Sequence, residues 1–423
     1  MTNAHAAAPP PVPVASVHGS LPSPLYLCGG GTGGHVYPAL AVAAAFASCP
    51  AAAPAASAPD ALAAPQIIYV GGRHGMEQGI VQGESSLPFR ALPAAAIRGR
   101  GLRERVRGSA IMLAGLVEAL RLLDQDRPAA ILGTGGYVCV PLFVAARLRR
   151  IPTMIYLPDV VPGVAVQALA QIATQVACNV EASRRYLPHA RNPAYPLLVA
   201  GYPVTDALYQ LDRAQSRAAF GLPAVGQADA GLPVLLVYGG SLGARSINRA
   251  VQALLPDILA HAHVIHICGR EGDEQWLRET ATQLEPHLQA RYHLYPYLER
   301  RGAPTMLHAF GAADLALCRS GASTLAELPA AALPAVLVPY PYVHQEDNAD
   351  YLVQHGAAIK VRDQEMLGDS ADARNGQLWQ ALSQLLRDPQ ARQRMAAHSH
   401  ALAKPAAAHT LAQALVTLAI GEM

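Results

Sequence analysis

Two glycine-rich segments, one in each half of the chain, contain the residues best suited to hold an anion. Residues 29–35 follow the apolar run 25–27, and residues 239–244 follow the apolar run 234–237. A glycine-rich turn between a strand and a helix exposes backbone N–H groups at the positive end of the helix, where phosphate binds. The two segments therefore predict a phosphate-binding loop in each of two similar halves.

The first segment ends in His35, at the head of a helix that has Pro38 in its first turn. A histidine there can take a proton from an attacking hydroxyl, and it can equally cap or pack the helix. The segment lacks the GxGxxG form, and residues 70–73 offer no acidic residue for a ribose, which argues against NAD binding. It also lacks the lysine of a P-loop NTPase.

The second segment places Gly240 and Ser241 at a helix start, where free N–H groups would stabilise a pyrophosphate leaving group without a metal. A tight turn without a ligand is the alternative. Further along, Thr324 and Glu327 share one side of a new helix, and a carboxylate there can accept two hydrogen bonds from a ribose diol. The alternative is a capping box, with Thr324 as N-cap and Glu327 at N3.

Residues 344–349 form a fourth group, in which Gln345 and Asn348 offer polar side chains to sugar hydroxyls after a strand. A solvated helix start is the alternative. The pair Asp124 and Asp126 has the spacing of a metal-binding DxD, but it ends a helix and Arg127-Pro128 follows it. We therefore expect no metal site there.

The elements that would position these residues are short, continuously apolar runs, which are typical of parallel strands covered on both faces. In the first half they are residues 66–70, 129–132, 153–157 and 175–180, with helices at 109–123 and 164–172. In the second half they are residues 233–238, 263–268, 293–297, 314–318, 335–338 and 358–361, and a helix at 406–420 ends the chain. This pattern predicts two α/β halves with ligands at the carboxyl ends of their strands.

Composition narrows the function further. The chain has 423 residues, of which 52% are hydrophobic and 15% charged, enough for two domains with buried cores. A net charge of +2 excludes bulk nucleic-acid binding, and the six cysteines form no CxxC pair for zinc. The first 24 residues lack Lys and Arg and are broken by prolines, unlike a signal peptide. The longest apolar run, residues 328–343, contains four prolines and is shorter than the roughly 20 residues that a membrane-spanning helix needs.

Taken together, these motifs resemble those of the MurG family of glycosyltransferases over nearly the whole chain from Leu25. The resemblance rests on the order and spacing of the segments named above, together with residues 75–77, residues 133–138 with Pro141, Gly201 with Pro203, and Arg245. It implies an α/β fold of the GT-B type, with two Rossmann-like domains facing across a cleft. It also implies inverting transfer of GlcNAc from UDP-GlcNAc to the MurNAc 4-hydroxyl of lipid I, with no cofactor and no catalytic metal.

The resemblance assigns roles to individual residues. His35 would be the base for the 4-hydroxyl, with Asp159 as a second candidate. The acceptor pyrophosphate would lie against residues of two loops: Thr32, Gly33, Gly34, Gly135, Gly136 and Tyr137. The donor would be held by residues of the second half: Gly240, Ser241, Leu298, Ala322, Thr324, Glu327, Gln345 and Asn348.

The chain departs from the family mainly on the acceptor side. Where the family has a His-Glu-Gln-Asn run, residues 156–159 read Tyr-Leu-Pro-Asp, and Tyr202 replaces an asparagine. Another lipid or natural-product acceptor is therefore the alternative function. A UDP-sugar epimerase needs acidic residues in the cleft, and few stand at the predicted loop tips.

Five arginines interleave with apolar residues at 97–107, a pattern that attracts anionic lipid headgroups. The membrane candidates are Ile97, Arg100, Leu102, Arg103 and Arg105, and an ordinary solvated loop is the alternative. The resemblance favours a peripheral location at the cytoplasmic face of the cell membrane. The predicted domains are a Pro/Ala-rich tail at 1–23, an acceptor domain at 24–204 with 406–423, and a donor domain at 205–405.

Overall fold

The computed structural model describes residues 23–47, 65–95, 102–187, 196–224, 226–240, 243–299, 302–343, 345–368 and 372–421. Among these, the residues up to Val204 and those from Lys404 onward form one compact unit, and Thr205–Ala403 form the other. The return to the first unit thus begins at Lys404, against 406 expected from the sequence. Most of the predicted tail lies outside the described residues. So do residues 48–64, which belong to an Ala/Pro-rich segment between the first helix and the second strand.

In the described part of the first unit, seven parallel strands form one sheet in the order β3-β2-β1-β4-β5-β6-β7. The strands are β1 Leu25–Cys28, β2 Ile67–Gly72, β3 Phe89–Leu92, β4 Ala130–Gly133, β5 Thr153–Leu157, β6 Gln175–Cys178 and β7 Leu198–Val199. The helices that precede residue 204 are α1 Gly33–Ala47, α2 Glu77–Glu84, α3 Leu102–Asp126, α4 Cys139–Arg149, α5 Val164–Leu169 and the 3₁₀ helix Glu181–Tyr186.

Where the structure describes it, the second unit repeats the pattern with six parallel strands in the order β10-β9-β8-β11-β12-β13. They are β8 Val234–Tyr238, β9 His263–Ile267, β10 Tyr292–Tyr295, β11 Leu315–Cys318, β12 Ala335–Leu337 and β13 Ala358–Lys360. Its α-helices are α6 Arg213–Ala219, α7 Arg245–Leu259, α8 Asp273–Ala281, α9 Pro286–Gln289, α10 Met306–Ala312, α11 Thr324–Ala330, α12 Glu346–Gln354, α13 Gln377–Arg387 and α14 Pro389–Ala401. Short 3₁₀ helices lie at Asp206–Tyr209, Asp363–Glu365 and Ala373–Asn375.

The last helix, α15 Ala407–Ile420, belongs to the first unit and packs against α1. The side chains of β1 point alternately to the two faces of the sheet. Leu25 and Leu27 pack with α1 and α15, whereas Tyr26 and Cys28 pack with α3 and α4. Every residue of β1 is therefore buried, which explains the continuous apolar run in the sequence.

The strands predicted from continuous apolar runs are present, and the α/β fold class with two Rossmann-like sheets is confirmed. The sequence missed β3 and β7. β3 is an edge strand that includes Arg90 and is only partly buried, and β7 has two residues, so neither produces a continuous apolar signal. Helix α3 also starts earlier than predicted, at Leu102 instead of residue 109, and therefore includes arginine-rich residues.

Candidate active site

The first glycine-rich loop leaves β1 beside the loop that leaves β4. These strands are hydrogen-bonded neighbours in which Cys28 pairs with Gly133, so the two loops emerge together at the carboxyl edge. The Gly30 amide donates to the Gly135 carbonyl oxygen over 3.2 Å. Strand order reverses between β1 and β4, and open α/β sheets bind ligands at such a switch point.

His35 lies in the first turn of α1, and the neighbouring loop holds its ring. Nδ1 is 2.8 Å from the carbonyl oxygen of Thr134. Since a carbonyl oxygen can only accept, Nδ1 carries the proton of the neutral ring and Nε2 keeps its lone pair. The arrangement leaves Nε2 as the atom able to take a proton from a hydroxyl.

Two further contacts fix this histidine. The fully buried Thr134 side chain places its hydroxyl 2.5 Å from the His35 carbonyl oxygen. Gly135 has a φ of +114°, and a Cβ there would lie 2.7 Å from the Nδ1 and Cε1 atoms of His35. Residue 135 must therefore be glycine for the imidazole to occupy its position.

The electrostatics suit a base. Burial lowers the pKa of His35 from its ordinary value of 6.5, and the charge of Asp159 partly opposes that effect by raising it. A histidine with a pKa below 6.5 is neutral at pH 7, the form that accepts a proton. The structure thus brings the two candidate bases of the sequence analysis close enough to interact.

The other acceptor-side candidates lie on the same two loops. Thr32 is exposed, Gly33 and Gly34 are partly exposed at the start of α1, and Gly135 is buried. Gly136 has a φ of +90° and is partly exposed. These residues and the half-exposed Tyr137 are brought together within one unit, and their contact with a ligand stays a prediction.

The residues that depart from the family pattern have structural partners. Tyr156 and Leu157 are buried in β5, and the Tyr156 hydroxyl donates to the Gly201 carbonyl oxygen over 3.0 Å. The Tyr202 hydroxyl donates to the Gly34 carbonyl oxygen over 3.3 Å. Tyr202 therefore contacts the first loop directly, whereas Tyr156 binds the neighbouring Gly201. Asp159 is the member of the altered run that remains partly exposed.

In the second unit the glycine-rich loop joins β8 to α7. Residues 241 and 242 lie outside the described residues, so the predicted contact of Ser241 is not described. Gly240 is exposed with a φ of +93°. Gly243 has a φ of +84°, and a Cβ there would overlap the carbonyl oxygen of Cys268 at the end of β9. Gly243, which lies just before α7, is thus packed tightly against the backbone that follows β9.

A buried polar network anchors the start of α7. The Arg245 Nε donates to the buried Asp273 carboxyl over 2.9 Å, and Asn248 Nδ2 donates to the same group over 2.8 Å. Asn248 Oδ1 accepts from His266 Nε2 at 3.0 Å, while His266 Nδ1 accepts from the Tyr292 hydroxyl at 2.8 Å. Burial lowers the pKa of His266 to about 3, so its ring is neutral.

Arg319 ties the strand ends of the second unit together. Its guanidinium donates to the Ser246 hydroxyl in the first turn of α7 over 2.7 Å and pairs with Asp363 at 2.5 Å. It also donates to the carbonyl oxygens of Val338 and Pro339 after β12. The guanidinium therefore fixes the loops after β11 and β12 relative to α7.

The turn that follows Arg319 differs from the capping box considered above. The helix N-cap is Ser323, and Thr324 is the first helical residue, with its hydroxyl donating to the Gly321 carbonyl oxygen over 2.5 Å. The Ser323 hydroxyl donates to Glu327 Oε2 over 3.0 Å. The capping-box interpretation of Thr324 and Glu327 is therefore wrong. Glu327 and Ala322 are partly exposed, and ribose binding by Glu327 stays a prediction.

Gln345 and Asn348 are held against that turn. The Ser320 hydroxyl donates to the Gln345 backbone carbonyl over 2.8 Å, and Asn348 Nδ2 donates to the Ser320 carbonyl oxygen over 3.1 Å. Gln345 is partly exposed, whereas the Asn348 side chain is buried. The four donor-side candidates of the two segments, Thr324, Glu327, Gln345 and Asn348, are thus brought together.

Leu298, the candidate for the nucleobase, is 6% exposed after β10. It follows Tyr297, on whose ring the Arg270 guanidinium stacks with 3.9 Å to the centroid. Arg270 also pairs with Glu299 at 3.0 Å. These contacts join the loop after β9 to the loop after β10 at the carboxyl edge of the sheet.

Sequence reasoning missed several residues that shape these loops. The Thr134 carbonyl that fixes His35 is a backbone group, which no side-chain pattern reveals. Arg319 lies shortly before Thr324 and Glu327 but was assigned no role, and Asp273 and Asp363 gave no sequence signal. A buried Asp is detectable only when its partners are known, because isolated acidic residues usually lie at the surface.

The carboxylates with DxD spacing are engaged elsewhere. Arg149 binds Asp124 in a bidentate pair at 2.6 and 2.7 Å, and the Tyr26 hydroxyl donates to Asp126 over 2.6 Å. Within the described ranges, no group of three or more His, Cys, Asp or Glu side chains is arranged to hold a metal ion.

The membrane candidates are only partly within the described residues. Ile97 and Arg100 lie outside them, and Leu102, Arg103 and Arg105 are described as backbone of α3. Along the same helix Val106, Leu113 and Val117 are 65%, 63% and 44% exposed. At seven and eleven residues from Val106, the other two side chains share its face. No helix in the described part of the chain is long and apolar enough to cross a membrane.

Comparison with known proteins gives a consistent result. The glycosyltransferase family 28 C-terminal domain matches residues 234–411, and the N-terminal domain of the same family matches residues 53–178. A UDP-N-acetylglucosamine–N-acetylmuramyl-(pentapeptide) pyrophosphoryl-undecaprenol N-acetylglucosamine transferase from Roseiflexus sp. (strain RS-1) is 51% identical, over 93% of this chain and 95% of the relative.

Among solved structures, MurG of Acinetobacter baumannii is similar with a TM-score of 0.69 and 26% identity, over 93% of this chain and 99% of that one. A UDP-GlcNAc 2-epimerase from Neisseria meningitidis has a TM-score of 0.61 with 12% identity, over 92% and 97% of the two chains. At that identity the second likeness concerns the fold alone. Fold similarity by itself therefore does not separate transferases from epimerases.

Proposed function

The chain belongs to the family of UDP-N-acetylglucosamine–N-acetylmuramyl-(pentapeptide) pyrophosphoryl-undecaprenol N-acetylglucosamine transferases, and on that premise we propose its reaction. It transfers GlcNAc from UDP-GlcNAc to the MurNAc 4-hydroxyl of lipid I, which yields lipid II for peptidoglycan synthesis. The observation that carries this proposal is the 51% identity over nearly the full length of both chains. The geometry around His35 supports it independently.

In the proposed mechanism the acceptor 4-hydroxyl oxygen attacks C1 of GlcNAc, the bond from C1 to the UDP oxygen breaks, and the configuration at C1 inverts. The proton of the hydroxyl passes to Nε2 of His35. Nε2 is unprotonated beforehand because the ring proton is on Nδ1, which donates to the Thr134 carbonyl oxygen. Such a positioned base contributes on the order of 10² to 10⁴ in rate. Asp159 raises the pKa of His35 and so strengthens the base.

On the donor side, we assign the leaving diphosphate to the second glycine-rich loop and the first turn of α7. N–H groups at a helix start stabilise the negative charge that grows as UDP departs. Arg245 and Ser246, in that first turn, are held by Asp273 and Arg319 respectively. Glu327 would accept from the ribose hydroxyls, and Gln345 would contact GlcNAc.

We propose that the reaction needs no cofactor and no catalytic metal, because backbone N–H groups and arginines supply the positive charge that a metal would otherwise provide. Transfer should therefore proceed at an unchanged rate after the enzyme and substrates are treated with EDTA. A rate that falls with EDTA and recovers with Mg²⁺ would contradict this part of the proposal.

The lipid acceptor implies peripheral binding at the cytoplasmic face of the cell membrane, and we assign the contact to the start of α3. Arginines at 100, 103, 105 and 107 would attract anionic headgroups, at about 1 kcal/mol for each basic residue near the surface. The exposed stripe of Val106, Leu113 and Val117 would enter the interface.

Flotation with vesicles that contain anionic phosphatidylglycerol tests this surface. Charge reversal at Arg100, Arg103 and Arg105, or the pair Val106→Ser and Leu113→Ser, should reduce binding. The matched control is Val164→Ser, at a position that is 56% exposed on α5, and it should leave binding unchanged. Equal binding by all variants would assign the membrane contact to another surface.

A different lipid-linked acceptor is the second candidate function. The observation that favours it is the buried pair Tyr156 and Leu157, since neither side chain can reach an acceptor from within β5. The test is transfer of labelled GlcNAc to lipid I and, in parallel, to diacylglycerol. Transfer to lipid I supports the first proposal, and transfer to diacylglycerol alone supports the second.

A further inference from the structure

A buried acidic residue lies beneath the first glycine-rich loop and has no role in the proposed mechanism. Glu77, in the motif formed by residues 75–77, is 2% exposed and begins α2. Its Oε1 accepts from the Gly72 amide over 2.7 Å. Its Oε2 is buried and has no hydrogen-bond partner among the residues that the structure describes.

Four glycines make room for this carboxyl group: Gly30, Gly71, Gly72 and Gly75. A Cβ at Gly30 would lie 2.5 Å from Glu77 Oε1 and 2.9 Å from its Cδ, and a Cβ at Gly72 would lie 2.7 Å from Oε1. These separations are far below van der Waals contact. The carboxyl group therefore occupies the space between the turn after β2 and the first glycine-rich loop.

Contacts continue from Glu77 to the candidate base. On its other side Gly30 meets the β4–α4 loop, since its amide donates to Gly135 and a Cβ at Gly136 would overlap its carbonyl group. Gly135 in turn lies against the His35 ring. Glu77, Gly30, Gly135 and His35 are thus linked by a continuous series of contacts.

The unpartnered oxygen is a cost to the fold. A buried polar atom without a hydrogen-bond partner destabilises a folded protein, because it gives up its hydrogen bonds to water. Such groups persist where the surrounding site gains from them. At this position the planar carboxyl group separates the first glycine-rich loop from the turn after β2, and a side chain of another shape would fill that space differently.

We propose that Glu77 is a positioning residue for the transfer reaction, which sets the first glycine-rich loop and, through it, the His35 imidazole. The inference rests on the proposed function for its kinetic consequences. The part of the inference that concerns geometry, namely that the carboxyl group of Glu77 separates Gly30 from Gly72, does not depend on the reaction.

The test is a cycle of substitutions in the full chain. Glu77→Ala empties the space, and Gly30→Ala forces a methyl group into it, so each should lower kcat/KM for lipid I by about tenfold or more through misplacement of the base. In the double variant the new methyl group at position 30 occupies the vacated space, and kcat/KM should recover by at least about fivefold over either single variant. Glu77→Gln keeps the shape and should stay within about threefold of wild type.

The KM for UDP-GlcNAc should be unchanged in all variants, since the donor loops belong to the other unit. Additive losses in the double variant, or a loss in Glu77→Gln as large as in Glu77→Ala, would overturn the proposal. Thermal unfolding of each variant identifies any that fail to fold.

A second readout does not depend on activity. NMR titration of His35 should show its pKa, which burial lowers in the wild type, move toward 6.5 in Glu77→Ala and return in the double variant. An unchanged titration in Glu77→Ala would refute the link between Glu77 and His35. If the wild type fails to glycosylate lipid I, the proposed function is rejected, whereas this titration still decides on Glu77.

Discussion

Replacement of His35 by asparagine separates its chemical role from its structural one. The amide of the new side chain can place an N–H near the position of Nδ1 and keep the bond to the Thr134 carbonyl, which is 2.8 Å long in the wild type. It has no basic lone pair in place of Nε2. We therefore expect the first loop to stay intact while proton transfer to the protein is lost.

The expected loss follows from the role of a general base. Removal should lower kcat by about 10² to 10⁴, with the KM for UDP-GlcNAc unchanged. At 25 °C this range corresponds to about 3–5 kcal/mol of transition-state stabilisation. His35→Ala should lose at least as much, because it also loses the contact with Thr134. The assay is transfer of radiolabelled GlcNAc to lipid I at saturating donor.

The pH dependence gives the same prediction a second test. Because the pKa of His35 is lowered from 6.5, kcat/KM of the wild type should be constant around pH 7 and fall only below 6.5 as the ring is protonated. Asp159→Asn removes a charge that raises this pKa, so its falling limb should move to lower pH. If His35→Asn keeps its rate within about threefold while Asp159→Asn abolishes transfer, then Asp159 is the base and this reasoning is refuted.

Three further predictions concern the loops and the second unit. Gly136→Ala should destabilise the chain by more than the roughly 1–3 kcal/mol of a strained backbone, since a Cβ there would also overlap Gly30. Gly221→Ala, at a φ of +64° with open space around it, should lose only the stability that the strained backbone costs. Equal shifts in melting temperature for the two variants would contradict this prediction. Burial lowers the pKa of His293 to about 4 and of His266 to about 3, so the unfolded state binds more protons between these values and 6.5. The free energy of unfolding should thus be highest above pH 6.5 and fall on acidification, by about 3 kcal/mol at most for His293. A melting temperature that does not change between pH 7 and 4.5 would contradict this prediction. Glu327→Gln should raise the KM for UDP-GlcNAc by about tenfold, since a neutral amide oxygen is a weaker acceptor for ribose hydroxyls, and an unchanged KM would remove Glu327 from the donor site.

Much of the fold could be predicted from the sequence because buried parallel strands leave a strong signal. The run Val234–Tyr238 is buried at every position, and its continuous apolar character places it without ambiguity. β3 could not be found this way, since a partly exposed edge strand with Arg90 resembles a loop. Loop positions were predictable where glycine is required by geometry, as at Gly135.

The finer features of the site depend on contacts between distant residues. The sequence suggested His35 as a base, but only the bond to the Thr134 carbonyl identifies Nε2 as the accepting atom. Likewise Thr324 and Glu327 have the spacing of a capping box, yet the helix starts one residue earlier than that interpretation needs, at an N-cap of Ser323. The residue at which this helix starts depends on how the preceding turn packs, and the spacing of residues in the sequence does not determine that packing.

The most direct test of the central claim is transfer of labelled GlcNAc from UDP-GlcNAc to lipid I by the wild-type chain in detergent, with EDTA present. We predict a lipid II product, formed at the same rate with and without EDTA, and none when lipid I is replaced by diacylglycerol. Donor binding without any glycosylation of lipid I would contradict the account and would direct attention to residues 156–159, where the acceptor side departs from the family.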